Sequence, residues 1–118
     1  MREYIVESPR KDVFVRLESI YAFREEATVR TFLEKHSFLT PLLLQARAKI
    51  AELFGSSIVT LDVAVDPEDG KYQELWARIQ TDLAPQDALS ALTRFDEEWW
   101  LDASASSQNL LNIKLEYT

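Results

Sequence analysis

The chain contains no cysteine, and its 118 residues include only two glycines and one histidine. Without cysteine there is no disulfide, thiolate nucleophile or zinc–thiolate site. Two glycines are too few for a phosphate-cradling loop or a dinucleotide fingerprint, which need several in close order. Gly55 reads as the residue that closes a helix and Gly70 as a turn residue. His36 stands alone, so a two-histidine metal motif is excluded, and with no Ser/Asp partner at a telling spacing it reads as structural. No apolar run approaches the roughly 18–20 residues that a membrane span needs. Met1-Arg2-Glu3 leads into no signal-peptide core. The expectation is a soluble cytoplasmic protein with no cofactor and no metal.

What is present is an acidic, aromatic-rich chain. Three Trp, four Tyr and six Phe with 47% hydrophobic residues suffice for one core, and the length suits a single domain. The net charge of −7 is carried by residues 37–118, which hold six Lys/Arg and thirteen Asp/Glu; residues 1–36 hold seven of each. An acidic domain repels phosphate backbones, which argues against nucleic acid as a partner. Acidic clusters at Asp66, Glu68 and Asp69 and at Asp96, Glu97 and Glu98 invite a metal reading. The first is too short for an EF-hand loop. The second runs along a helix, where neighbouring residues diverge. Asp96 flanks an apolar face near Trp100 and, if buried, is the best candidate for a perturbed acid; adjacent carboxylates on an exposed helix face read first as solvated charge.

The secondary structure is clearest from residue 25 onward. Val29, Phe32, Leu33 and His36 fit one helical face, with Thr31 and Glu34 resembling a capping box. Thr40-Pro41 starts a second helix, with Thr40 expected as N-cap. Leu43, Ala46, Ile50 and Leu53 line its main face, Leu44, Ala48 and Ala51 form another apolar side, and Gln45, Arg47, Lys49 and Glu52 point outward. Residues 58–65 and 72–81 alternate as strands around the loop Asp66-Pro67-Glu68-Asp69-Gly70-Lys71, a hairpin by composition. A helix then starts at Pro85 and carries Ala88, Leu92, Phe95 and Trp99 on one face, and a last strand presents Leu111, Ile113, Leu115 and Tyr117. Trp99 is expected in the core and Trp100 at its boundary. Residues 1–24 are less legible: residues 3–7 suit a short strand, and the Asp12–Arg16 spacing favours a helix after Ser8-Pro9. They are expected to form a variable extension to an α/β sandwich spanning residues 25–118.

These elements predict an α+β two-layer sandwich, N-terminal helices followed by β-β-α-β. The 58–65 strand is rich in β-branched residues, which favours the centre of a sheet. It is therefore expected between the other two, giving a three-stranded antiparallel sheet of order 2-1-3 with a right-handed crossover. The alternative is a ferredoxin-like sheet with an added N-terminal strand.

Thr81-Asp82-Leu83-Ala84-Pro85-Gln86-Asp87-Ala88-Leu89, followed by Phe95-Asp96-Glu97-Glu98-Trp99-Trp100-Leu101-Asp102, resembles a small family of uncharacterised proteins of cyanobacteria and other bacteria. The stretch from Phe32-Leu33-Glu34 to Phe38-Leu39-Thr40-Pro41-Leu42-Leu43 is similar to an upstream segment of that family. The likeness covers roughly residues 25–117. Where the family usually has a Ser before the proline, this chain has Ala84. The resemblance implies a shared fold and carries no activity.

One aromatic residue departs from the in/out pattern. Trp76 lies on the strand face opposite Leu75, Ala77 and Ile79, among Glu74, Arg78 and Gln80. Thr60, Asp62, Asn112, Lys114 and Glu116 are expected on the same face. A Trp amid polar groups is either covered by the N-terminal segment or part of an interface, where Trp and Arg are enriched. The candidate interaction residues are Trp76, Arg78, Leu44, Ala48, Trp100 and Asp96. They favour an interaction module that acts as a homo-oligomer or with a protein partner. The alternative is a small-molecule binder or enzyme using carboxylates and aromatics near Asp96, Trp100 and Asp82.

Overall fold

The computed structural model describes residues 9–116, with side chains from residue 15 onward. The expected strand at residues 3–7 and Tyr117 lie outside the described residues.

Helix α1 (Pro9–Ile20) opens the described chain, as the Pro9 start and the Asp12–Arg16 spacing suggest. It leads into β1 (Ala22–Phe23), α2 (Glu26–Lys35) and α3 (Leu39–Phe54). The hairpin β2 (Ser57–Val65) and β3 (Gln73–Thr81) follows, then α4 (Pro85–Phe95), a π-helical turn (Asp96–Trp100), α5 (Leu101–Ala103), a 3-10 turn (Ser104–Ser107) and β4 (Leu111–Leu115). The class is α+β with a four-stranded open mixed sheet of order β1-β2-β3-β4.

The 2-1-3 antiparallel order is corrected. The β2–β3 pair is antiparallel as expected, but β4 runs parallel to β3, with Leu75 opposite Leu111 and Ile79 opposite Leu115. The other edge of β2 is occupied by β1, pairing Ala22 with Thr60 and Phe23 with Leu61, and the Arg24 N–H donates to the Leu61 carbonyl at 2.9 Å. Two residues carry no period, so β1 leaves no trace in the hydrophobic pattern. Once it holds that edge, β4 pairs with β3 across a crossover long enough for a parallel connection. β2 is interior, as its β-branched content favours, but its second neighbour is β1 rather than β4.

The core is one cluster. Val59, Leu61, Leu75, Ala77, Ile79 and Leu111 from the sheet meet Val29, Phe32, Leu33, Leu43, Ala46, Ile50, Phe54 and Phe95 from the helices. Leu17 and Tyr21 belong to the same cluster, and the Tyr21 hydroxyl donates to the Leu43 carbonyl at 2.8 Å. Burial pushes the Tyr21 phenol well above its ordinary range, with the Arg47 charge partly opposing.

The helix ends differ from expectation in instructive ways. Helix α3 begins at Leu39, one residue before Thr40, and Phe38 stands at its N-cap; Thr40 is buried inside the first turn. Thr31 falls in the middle of α2, so no capping box forms there. Pro85 does open α4, behind an extended Ala84 that offers no side-chain cap. Gly55 ends α3 with φ 69° and ψ −136°, a region essentially reserved for glycine. In the hairpin loop, Asp66 Oδ1 accepts from the Glu68 N–H at 2.8 Å, an Asx turn of the kind its composition suggests.

Trp99 is corrected from core to boundary. It is half-buried and packs against the cluster, while Phe95 is fully buried. The cause is the π turn at Asp96–Trp100, which inserts an extra residue into the helical register. Trp99 and Trp100 thereby come to lie side by side on one flank, ring centroids 5.6 Å apart, with Phe95 edge-on to Trp99 at 5.5 Å.

Candidate functional site

Strand periodicity sends one side chain in two to the face opposite the core. The register aligns Asp62, Trp76 and Asn112 in one row, and Ala22, Thr60, Arg78 and Lys114 in the next. The corrected strand order puts Trp76 on an interior strand, flanked on both sides. Its face holds the expected polar neighbours, all partly or fully exposed.

The charges on this face are organised about Trp76 and Asp62. The Lys114 ammonium lies 4.9 Å from the Trp76 ring centroid and the Arg78 guanidinium 5.3 Å. Such cation–π contacts are worth about 0.5–1 kcal/mol at exposed sites and more where water is excluded. Arg78 Nε donates to Asp62 at 3.1 Å, and Arg24 donates to the same carboxylate at 3.0 Å. Arg24 also approaches Glu116 at 3.9 Å, and Asn112 donates to Glu74. The Trp76 Nε1–H is buried and has no acceptor among the described residues. A buried donor without a partner is costly, on the order of 1–3 kcal/mol.

The six candidate residues are not brought together. Trp76 and Arg78 share the sheet face, whereas Leu44 and Trp100 are half-buried against the core cluster on the helical side. Ala48 is exposed on α3, lining a groove described below. Asp96 is half-buried at the end of α4, where burial, and secondarily the neighbouring Glu97, raises its carboxyl above the ordinary range. Asp82 precedes α4 and Asp96 follows it, so roughly 16 Å of helix lies between them. Glu98 turns back to α3, accepting from Lys49 at 2.9 Å and from Arg94 at 2.8 Å; both cations, Lys49 foremost, lower its pKa. Lys49 is thus half-buried, where the helical pattern pointed it outward.

His36 sits at the end of α2 with its ring 4.5 Å from Phe32 and 6.1 Å from Phe38. Among the described residues no group of three or more His, Asp or Glu side chains is placed to hold a metal ion. No helix among them is long and apolar enough to cross a membrane.

Sequence reasoning missed Arg24 and Arg47. Arg24 adjoins the two-residue strand that carries no pattern. Arg47 lies on the polar side of a helical wheel yet is half-buried, its Nε donating to the Ile20 carbonyl and its Nη2 to the Ser57 carbonyl, each at 3.0 Å. No family model, curated protein or solved structure matches this chain.

Proposed function

We propose that the protein is a small interaction module, cytoplasmic and acting through self-association or a protein partner, whose contact surface is the sheet face centred on Trp76. The observation that carries this reading is the indole itself: a large aromatic on an interior strand, flanked by two cations, with a buried N–H that lacks an acceptor among the described residues. Trp and Arg, the residue types at the centre of this face, dominate binding energy in measured interfaces. The mixed charges around them suit a recognition surface better than a catalytic one. On this reading the chain belongs with the bacterial family whose helical signature it resembles, and the shared fold is a scaffold for contact.

A stable pairing would cover about 800 Å2 on each partner. Light scattering on the purified chain, with affinity capture from its native cytoplasm, tests the proposal. The expected result is a dimer or a stoichiometric partner that Trp76→Ser abolishes without lowering the melting temperature. A parent chain that is monomeric and captures nothing, and that Trp76→Ser leaves unchanged, would refute it.

A further inference from the structure

At the β2 edge of the sheet, the end of α1, the exposed flank of α3 and the start of β2 enclose an open groove of about 700 Å3. Its walls are mostly apolar, including Ala48, Ala51 and Ile58, the last 60% exposed. Four polar residues interrupt them: Glu18, Ser19, Arg47 and Ser57. Arg47 uses Nε and Nη2 on the Ile20 and Ser57 carbonyls, so its fork is held in place, and α1 has no basic residue of its own in its last turn. The third nitrogen, Nη1, is buried without a partner among the described residues, and so is Ser57 Oγ. Among the described residues the structure pairs no carboxylate with Arg47; Glu18, the other charged residue of the groove, is taken up by Arg30. Three buried side-chain polar atoms lack partners among the described residues, and two of them belong to adjacent residues of this groove.

We propose that the groove binds a small organic monocarboxylate, its apolar body lying along Ala48, Ala51 and Ile58 and its two oxygens accepting from Arg47 Nη1 and Ser57 Oγ once the side chains covering those atoms move aside. One fixed guanidinium beside one hydroxyl matches a carboxylate, which is planar and carries a single charge. A phosphate dianion would ask for more positive charge than the groove offers. Apolar walls with a few convergent polar groups are the usual make-up of a small-molecule site, and the volume lies in the usual range. The bound carboxylate would satisfy two buried groups that otherwise lack partners. The site lies apart from Trp76 and does not depend on the interaction reading.

Octanoate is the probe, titrated into the 15N-labelled full chain, with octanol and inorganic phosphate as comparisons. Octanoate is expected to shift the amide signals of Ala48, Ala51 and Ile58 saturably, while octanol and phosphate bind at least tenfold more weakly. Ser57→Ala should weaken octanoate about tenfold, as loss of a hydrogen bond to a charged group does. Arg47 also ties α1 to β2, so Arg47→Lys is paired with Ala51→Trp, which fills the groove from an exposed helix position; each folded variant should abolish the shifts. Equal binding of octanol and octanoate, shifts confined to other residues, no saturation at millimolar octanoate, or undiminished binding by Ala51→Trp would each overturn the assignment.

Discussion

Replacing Leu17 by alanine tests whether α1 is part of the folding unit. Leu17 is fully buried in the core cluster, whereas Val15, two residues earlier, is 61% exposed. Truncating Leu17 removes three carbons from a close-packed site, and at about 0.8 kcal/mol for each buried carbon group the transfer cost is about 2.4 kcal/mol. Incomplete collapse of the cavity adds to this, giving an expected loss of about 2.5–5 kcal/mol. A domain of this size has about 5–15 kcal/mol of stability in all, so the loss is a large fraction of it. Urea unfolding followed by tryptophan fluorescence reads the effect. At a slope of about 1–3 kcal/mol per molar urea, the midpoint should fall by at least about 0.8 M with the slope unchanged. Val15→Ala is the control and should lie within about 0.5 kcal/mol of the parent. A Leu17→Ala loss below about 1 kcal/mol, or one equal to that of Val15→Ala, would mean that α1 contributes nothing to the core in solution, and its docking against α3 would have to be abandoned.

The π turn makes a comparison between neighbours: Phe95→Ala should cost about 3–5 kcal/mol in the same assay and Trp99→Ala distinctly less, the reverse order implying an unbroken α-helix. Gly55→Ala meets no steric obstacle, since nothing lies within 4 Å of the added Cβ, so its expected cost of about 1–3 kcal/mol arises from backbone conformation alone; thermal melting would show whether it vanishes. Asp96 supplies a pH test. Burial raises its folded pKa above the ordinary 3.8, so its protonated form is favoured by folding and this contribution is lost as pH rises through the folded value. Asp96→Asn should therefore be more stable than the parent at pH 7, with the advantage shrinking as pH approaches and passes below 3.8; a pH-independent difference would place the carboxylate in water.

Strand alternation and helix periodicity are local properties, and the sequence by itself determined what depends on them. It specified the β2–β3 hairpin through its Asp66–Lys71 loop, the proline start of α4, the glycine end of α3 and the face that each strand residue takes. The row Asp62–Trp76–Asn112 was legible because side chains alternate whatever the strand order. Tertiary structure decided which edges meet. Ala22–Phe23 is too short to signal itself, yet by occupying β2 it sends β4 to β3 and leaves Trp76 on an interior strand. It also decided the register beyond Phe95, where the π turn sets both tryptophans on the boundary. Arg47 shows the same limit: a helical wheel points it at solvent, and only the approach of the α1 end and the start of β2 turns it into a buried donor. Such groups have no sequence signature, because their partners are backbone carbonyls that every residue possesses.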